Sequence, residues 1–285
     1  MNPALVEIGI ATRNRWKDLH DTLERLAAFG LGRQHVLIFD DGSDSCCPYD
    51  VKAICLGAEL QRFNESAGYI VRRNQLARSM TARYYLSLDD DSFPVSGSLA
   101  DALAFADTCD DLFCLGFPVY NPVTGQHQVM SLQEQPYKVR SFIGCGHLLR
   151  RDCFLELGGY CEELVHQGEE GEIAVRAFQR GKHCYHFPGL QIHHTESNVG
   201  RNHQRVDYYG ARNAVLWNDW YLPPRLRNFR HGRALISRLW HSMKVRRWGQ
   251  LQGYWAGLKE IPHYKRHRHS MNWAMYRQWN CLPYH

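Results

Sequence analysis

The sequence predicts an α/β fold in which a mostly parallel, Rossmann-like sheet is flanked by helices and is followed by a basic helical extension. Two observations carry this prediction. Short apolar segments alternate with segments of helical periodicity before the C-terminal part of the chain, which is typical of parallel strands joined by helices. Residues 221–285 differ, because they contain 13 of the 34 Lys and Arg residues but only one acid, Glu260.

The N-terminal part of the chain predicts four strands and two helices. Apolar runs bounded by turn residues predict strands over Val6–Ala11, His35–Phe39, Ala58–Phe63 and Tyr84–Leu88. Between them, helices are predicted over Trp16–Phe29 and Tyr69–Ala82. In the first helix Leu19, Leu23 and Leu26 recur at helical spacing.

The middle of the chain continues the same pattern. Further strands are predicted over Phe113–Pro118, Gly144–Leu149, His183–Phe187 and Gln191–His194. Two helices are predicted to end at glycines, Asp152–Leu157 before Gly158 and Glu169–Arg180 before Gly181. Because long Arg- and Trp-rich segments follow, we place the start of the C-terminal extension at residue 206.

Composition bears on the environment of the protein. No apolar run reaches the roughly 20 residues needed to cross a bilayer, and the N-terminal segment lacks the residue order of a signal peptide. We therefore expect a cytoplasmic protein. The ten cysteines are scattered without a CxxC pair, so we expect them to be reduced.

Two acidic clusters, Asp40–Asp41 and Asp89–Asp91, fall at the ends of predicted strands, where open α/β sheets bind ligands. If Asp89–Asp91 stays extended, Asp89 and Asp91 point the same way and Asp90 faces elsewhere. Three adjacent carboxylates repel one another. A divalent cation that prefers oxygen ligands, Mg²⁺ or Mn²⁺, would relieve that repulsion. A solvated turn is the alternative.

Eight short motifs occur in an order that resembles family 2 glycosyltransferases of the GT-A fold. They are IATRNR (10–15), FDDGS (39–43), NESAGYIVRRN (64–74), LDDD (88–91), GCGHLLRR (144–151), GGY (158–160), GEEGE (168–172) and IHHTES (192–197). The resemblance covers roughly residues 5–215. It implies a nucleotide-diphosphate-sugar donor, a divalent metal, Mn²⁺ or Mg²⁺, and inverting transfer to a hydroxyl group of a glycan, lipid-linked or small-molecule acceptor. The catalytic domain would then span 1–205, with a nucleotide-sugar half of about 1–92 and an acceptor half of about 93–205.

The resemblance places the donor site near the first strands. Asp41 would accept a hydrogen bond from the N3–H of uracil or thymine, since a carboxylate accepts only from a ring nitrogen that carries a proton. This favours UDP or dTDP sugars; the alternative is an Asp that caps the turn. The other implied contacts of the nucleotide sugar are Thr12, Arg13, Arg15, Gly68, Arg73, Asp89 and Asp90.

The resemblance also implies the metal ligands. Asp91 is the first candidate and Asp89 the second, while Asp90 faces the ribose or the sugar of the donor. A histidine after the last core strand is a further candidate for contact with the metal or the pyrophosphate. His194 corresponds to it, with His193 as the alternative; a histidine on a strand is otherwise a packing residue.

Transfer to a hydroxyl group requires a base that takes its proton. The motif GEEGE opens a predicted helix, where the helix dipole stabilises negative charge, so we expect its acids to be ionised at neutral pH. The family more often has Glu-Asp here, with the second acid as the base. Glu170 takes that place in this chain and is our candidate base, with Glu169 as the alternative. The alternative is that these acids have no catalytic role and only stabilise the first turn of the helix.

The basic extension contains five of the eight tryptophans, Trp240, Trp248, Trp255, Trp273 and Trp279. This composition fits packing against the catalytic body or a partner subunit of a homo-oligomer. It also fits peripheral contact with an anionic membrane or with an anionic polysaccharide. We expect no binding of nucleic acid, because no motif of DNA- or RNA-binding proteins occurs.

Two other functions compete with glycosyl transfer. A nucleotidyltransferase also pairs carboxylates with a metal on an α/β sheet, but the Gly-rich phosphate loop usual in such enzymes does not follow the strand Val6–Ala11. A non-catalytic protein that binds glycans or membranes on the same fold is the second rival. Such a protein would have no use for the crowded acids, the Glu pair and the histidines together.

Overall fold

The computed structural model describes residues 5–196 and 202–284, so Ser197 of the IHHTES motif lies outside the described residues. The strands are β1 Val6–Thr12, β2 Val36–Asp40, β3 Ala58–Arg62, β4 Tyr84–Asp89, β5 Ser92–Gly97, β6 Leu112–Gly116, β7 Val119–Asn121, β8 Gln126–Val129, β9 Tyr137–Val139, β10 Gly146–Arg150, β11 His183–His186 and β12 Leu190–His194. The helices are α1 Trp16–Ala28, α2 Val51–Ile54, α3 Tyr69–Ser79, α4 Leu99–Thr108, α5 Arg151–Glu156, α6 Glu169–Gln179, α7 His203–Tyr221, α8 Pro224–Val245, α9 Gly249–Glu260 and α10 Trp273–Cys281.

The main sheet has eight strands in the order β3-β2-β1-β4-β10-β6-β11-β9. Strands β3, β2, β1 and β4 are parallel, as are β6 and β11, whereas β10 runs antiparallel to both of its neighbours and β9 runs antiparallel to β11. The predicted α/β class is confirmed, and the parallel half of the sheet is the N-terminal half. The carboxyl ends of β1, β2 and β4 therefore meet at one edge.

Helices cover both faces of the main sheet because its strands are apolar on both sides. In β2, Ile38 packs into the core on one face, together with Leu19 and Leu23 of α1. Its neighbour Phe39 packs into the core on the other face, together with Leu76 of α3. Alternation of side chains along a strand produces this division.

A second sheet has four strands in the order β5-β12-β7-β8. Strand β5 begins immediately after the acidic triplet and pairs with β12 in antiparallel register, with Ser92 opposite His194. The backbone N–H of Thr195 donates to the carbonyl of Asp91 at 3.0 Å. This pairing brings the histidine doublet to the acids from more than 100 residues away in the chain.

The C-terminal extension packs against the rest of the chain. The boundary predicted at residue 206 falls inside α7, which begins at His203. Trp220 and Tyr221 at the end of α7 are completely buried in the same core as α3 and α6, and Met271 and Trp279 join them. Within the described residues, no helix is both long enough and apolar enough to span a bilayer.

The strands and helices predicted between Val6 and His194 are all present, with ends shifted by up to three residues. The prediction omitted β5, α2, α4 and the short strands β7, β8 and β9. Strand β5 contains Pro94, which usually argues against a strand. The other three strands have only three or four residues, too few to show a period.

Candidate active site

The acidic motifs meet at the carboxyl edge of β1, β2 and β4. Thr12 of β1 pairs with Asp40 of β2, and Ala11 pairs with Asp89 of β4. The chain continues from β4 through Asp90 and Asp91 directly into β5. The site is thus built on strand ends, which hold side chains more rigidly than a free loop does.

Asp90 points into the protein. Its carboxylate accepts a hydrogen bond from Thr12 Oγ1 at 2.7 Å and lies 2.9 Å from Arg15 Nη1. Burial raises the pKa of Asp90 to about 8, and the neighbouring Arg15 opposes this rise. Thr12, Arg15 and Asp90 thus contact one another beneath the acidic turn. The predicted contacts of these three residues with the donor stay predictions.

Asp89, Asp91 and His194 form one cluster. Each offers a ligand atom, and these atoms all lie within 4.8 Å of one another. His194 Nε2 is 3.3 Å from Asp91 Oδ1, while its Nδ1 is 2.9 Å from Gln128 Oε1. Two carboxylates and one imidazole are a donor set that suits Mn²⁺ or Mg²⁺ with the remaining positions left to water and phosphate oxygens. Asp90 and Asp91 form a turn between β4 and β5, so the expected extended backbone is wrong although Asp89 and Asp91 do converge.

The structure also decides between the two histidines. His193 points away from the acids, since neighbouring side chains of a strand lie on opposite faces. Its ring lies 6.1 Å from the ring of Phe93 and 5.3 Å from that of Tyr120. His194 is therefore the candidate ligand, and His193 is a packing residue.

Arginines neutralise the acidic triplet in the protein itself. Arg15 Nη2 is 2.5 Å from Asp91 Oδ2, and Arg15 also contacts Asp90. Arg73 makes a very short ion pair with Asp89. The repulsion between the three carboxylates is thus already offset in part. The crowding of the acids therefore does not by itself indicate a metal, and the fit of a metal rests on the arrangement of Asp89, Asp91 and His194.

The two candidate bases lie beside Arg73, at the start of α6. Arg73 Nη1 is 3.5 Å from Glu169 Oε1, and its Nη2 donates to the carbonyl of Gly144 at 2.9 Å. The carboxylate of Glu170 occupies the space next to Gly144 where any other residue would place its Cβ. Glu169 is almost fully buried, whereas Glu170 is half-buried. Only Glu170 is thus partly open to solvent.

Burial, rather than the helix dipole, has the largest influence on the pKa values of the two glutamates, and their ionisation at neutral pH stays a prediction. Burial raises the pKa of Glu169, and burial together with the adjacent Glu169 raises the pKa of Glu170 well above its ordinary value. Burial of the two carboxyl groups disfavours their ionised forms by more than the dipole of one helix stabilises them. A base must be ionised, and the raised pKa values of both carboxyl groups oppose ionisation of the pair.

Asp41 holds the loop that leads into α3. Its two carboxylate oxygens accept four hydrogen bonds, from Ser66 Oγ, the backbone N–H groups of Ala67 and Gly68, and Arg72 Nε, at 2.6–2.9 Å. Although burial opposes ionisation, these donors lower the pKa of Asp41. A carboxylate can accept about four hydrogen bonds, so Asp41 has no free acceptor position for a further donor. Base recognition by Asp41 stays a prediction, and it requires that one of these bonds be exchanged.

Gly68 and Arg13 border the same loop. Gly68 has a φ of 92°, a conformation that favours glycine, and it is the residue before the first turn of α3. Arg13 donates to Ser66 Oγ at 3.0 Å. Arg13 is exposed, and Gly68 is half-buried beside it. Their contacts with a donor stay predictions.

Sequence reasoning assigned no role to three residues that shape the site. Arg72 binds Asp41, Gly144 makes room for Glu170, and the Tyr69 hydroxyl accepts from the backbone N–H of Gln167 at 2.8 Å, just before the Glu pair. All three lie inside the motifs NESAGYIVRRN and GCGHLLRR. Their places in those motifs were the available signal, but their contacts depend on strands and helices that are distant in sequence.

The chain belongs to glycosyl transferase family 2, because the model of that family matches residues 7–158, more than half of the chain. No curated protein sequence matches the chain.

Three solved structures show the same fold at low sequence identity. GalNAc-T7 with UDP, GalNAc and Mn²⁺ is 16% identical with a TM-score of 0.67; the alignment covers 99% of this chain and 55% of that one. The mannosyltransferase PcManGT from Pyrobaculum calidifontis, in complex with GDP-Man and Mn²⁺, is 15% identical with a TM-score of 0.58, covering 98% and 79%. S. aureus TarS 1-349 in complex with UDP-GlcNAc is 15% identical with a TM-score of 0.57, covering 75% and 66%. The chain thus spans about half the length of GalNAc-T7.

Proposed function

We propose that the protein transfers a sugar from a UDP- or dTDP-sugar to a hydroxyl acceptor, with inversion at the anomeric carbon. The observation that carries this proposal is the convergence of Asp89, Asp91 and His194 within 4.8 Å at the strand edge, across Arg73 from the glutamate pair. Family membership supports glycosyl transfer, and the UDP, UDP-GlcNAc and GDP-Man named for the structures of similar fold support a nucleotide-sugar donor. The choice of UDP or dTDP rests on the predicted recognition of the nucleobase by Asp41.

Asp89, Asp91 and His194 would hold Mn²⁺ or Mg²⁺. When bound, the cation offsets the negative charge that collects on the departing diphosphate. His194 binds a metal only through an unprotonated nitrogen. The contacts with Asp91 and Cys145 outweigh burial and raise the pKa of His194 to about 11, so binding would release a proton.

Glu170 would act as the base, because it is the half-buried member of the pair. Its carboxylate takes the proton of the acceptor hydroxyl as the oxygen bonds to the anomeric carbon. The bond from that carbon to the diphosphate oxygen breaks on the opposite side, and its electron pair leaves with the nucleoside diphosphate. One displacement inverts the anomeric centre. Glu169, buried against Arg73, would position Glu170 and tune its pKa.

A cavity beside the glutamate pair suits the acceptor. It has a volume of about 380 Å³, within the range of small-molecule sites, and lies between the start of α6, helix α7 and helix α10. Gly168 and Gly171, which flank the two glutamates in sequence, line it together with Trp217, Tyr276 and Trp279. Aromatic faces of this kind bind flat apolar surfaces of a ligand while their polar tips stay hydrated.

The test of the proposal is a panel of UDP-, dTDP- and GDP-sugars, assayed for binding and hydrolysis with and without Mn²⁺. We expect a metal-dependent response to a UDP- or dTDP-sugar that is lost in Asp91→Asn. Asp152→Asn is the control, because this carboxylate is exposed on α5. An equal response of Asp91→Asn and wild type would remove the metal assignment. A response to GDP-sugars alone would contradict the predicted preference for uracil or thymine in the donor, but it would not contradict the metal site.

A further inference from the structure

Helix α8 exposes a stripe of large apolar side chains. Phe229, Ile236, Trp240 and Met243 are 60–70% exposed. Their spacing of seven, four and three residues places them along one face of a helix. At 22 residues, α8 is the longest helix in the described part of the chain. Exposed apolar side chains that align in this way mark an interaction surface rather than isolated surface residues.

The flanks of the stripe are basic. No acid occurs between Asp219 and Glu260, whereas α8 alone contains five arginines and Lys244. Arg227 is paired with Asp219. Arg225, Arg230, Arg233 and Lys244 form no salt bridge with any residue that the structure describes. Lys244 Nζ lies 4.9 Å from the ring centre of Trp240, so the apolar and basic groups form one continuous surface.

We propose that this face of α8 docks on an anionic lipid surface. Phe229, Ile236, Trp240 and Met243 would enter the boundary between headgroups and acyl chains, while Arg233 and Lys244 contact the anionic headgroups. A second copy of the chain fits less well, because two such faces would bring unpaired arginines against each other. An uncharged apolar groove on a partner would leave those arginines without counter-charges. Only a surface that is both apolar and anionic satisfies the whole face.

The position of α8 gives this docking a consequence for catalysis. Arg230 of α8 lines the cavity beside the glutamate pair. The lipid surface would therefore adjoin the cavity assigned to the acceptor, as an acceptor carried on a lipid requires. This consequence rests on the proposed function, whereas the docking itself does not.

The docking is tested by sedimentation of the full chain with vesicles, without donor or metal. We expect binding to vesicles of equal parts phosphatidylcholine and phosphatidylglycerol, weakened by salt, and no binding to phosphatidylcholine alone. The double variant Ile236→Ser, Trp240→Ser should bind at least about tenfold more weakly, because burial of either side chain alone is worth that factor. Arg233→Gln and Lys244→Gln should each weaken binding about fivefold.

Val123→Ser with Leu132→Ser is the matched control, because these exposed apolar residues lie on the body of the protein. It should bind vesicles as wild type does. Absence of binding to anionic vesicles, or full binding by the α8 double variant, would overturn the proposal. A dimer that dissociates in the α8 variant, with no vesicle binding, would assign the face to a second copy. Because sugar-nucleotide hydrolysis is measured separately, failure of docking and failure of the proposed chemistry are distinguishable.

Discussion

The guanidinium of Arg73 lies 3.5 Å from the carboxylate of Glu169, and both side chains are almost fully buried. The same guanidinium makes the short ion pair with Asp89. Arg73 thus contacts both Asp89 of the proposed metal site and Glu169, the neighbour of the proposed catalytic base. The resemblance implied that Arg73 contacts the nucleotide, but the structure places it between two sets of carboxylates.

Replacement of Arg73 by alanine should destabilise the protein. It leaves Asp89 and Glu169 without their buried counter-charge, which costs about 3–5 kcal/mol in comparable buried pairs. The free energy of unfolding, measured by urea titration, checks this. Arg78→Ala on the same helix is the control, since Arg78 is exposed and 3.8 Å from Glu162, and it should change stability by less than about 0.5 kcal/mol. Similar losses of unfolding free energy in both variants would show that Arg73 does not stabilise the fold as a counter-charge to Asp89 and Glu169.

Glu170→Gln should bind donor normally and lose transfer. A glutamine cannot take the acceptor's proton, and the loss expected for a general base is about 10²–10⁴-fold in kcat. Donor binding by calorimetry and transfer by product release separate the two effects. Transfer that persists in Glu170→Gln and stops in Glu169→Gln would assign the base to Glu169.

The pH profile of transfer gives an independent check on the pair. The acid limb for wild type should lie above pH 4.5, the ordinary pKa of a glutamate, because burial and Glu169 raise the pKa of Glu170. Glu169→Gln removes the neighbouring charge, so the pKa of Glu170 falls and the acid limb moves to lower pH. An acid limb that stays in place would contradict the coupling between the two carboxyl groups.

Gly144→Ala should impair transfer by displacing Glu170. A Cβ at position 144 would overlap Glu170 Oε1 and lie 3.1 Å from Arg73 Nη1. A displacement of about 1 Å in a catalytic group costs on the order of 10²-fold in rate. Gly232→Ala is the control, because a Cβ on this glycine of α8 meets no neighbouring atom. That variant should keep full activity and gain about 0.5–1 kcal/mol of stability.

Glu7 should make the stability of the protein fall in acid. Its carboxylate accepts from the backbone N–H groups of Thr81 and Ala82 at 2.6–2.7 Å and lies 2.6 Å from His35 Nδ1. These contacts outweigh burial and lower the pKa of Glu7 below its ordinary value of 4.5. A group with a lowered folded-state pKa stabilises above its unfolded pKa, and this stabilisation is lost as pH falls through the folded value.

Unfolding free energies at pH 7 and at pH 3 therefore test the role of Glu7. Glu7→Gln should be destabilised by about 1.5–3 kcal/mol at pH 7, and its deficit should shrink at pH 3. Glu59→Gln is the control, because Glu59 is exposed and 3.6 Å from the other nitrogen of His35. A deficit of Glu7→Gln that is independent of pH would refute the electrostatic explanation.

The sequence by itself predicted seven of the eight strands of the main sheet, all but β9, and which acids stand at its edge. Apolar strands of four or more residues and helices with a clear period are local features, so β1–β4 and α1 could be predicted from their own residues. The sequence also predicted the convergence of Asp89 and Asp91, but from an extended backbone, whereas the structure has a turn at Asp90 and Asp91.

Tertiary structure decided the remaining questions, because each of them depends on residues far apart in the chain. The choice of His194 over His193 follows from the pairing of β12 with β5. The neutralisation of the acids by Arg15 and Arg73, the four donors around Asp41, and the raised pKa values of the glutamate pair follow from packing between elements. Burial and charge proximity act through space, and the sequence pattern alone contains neither.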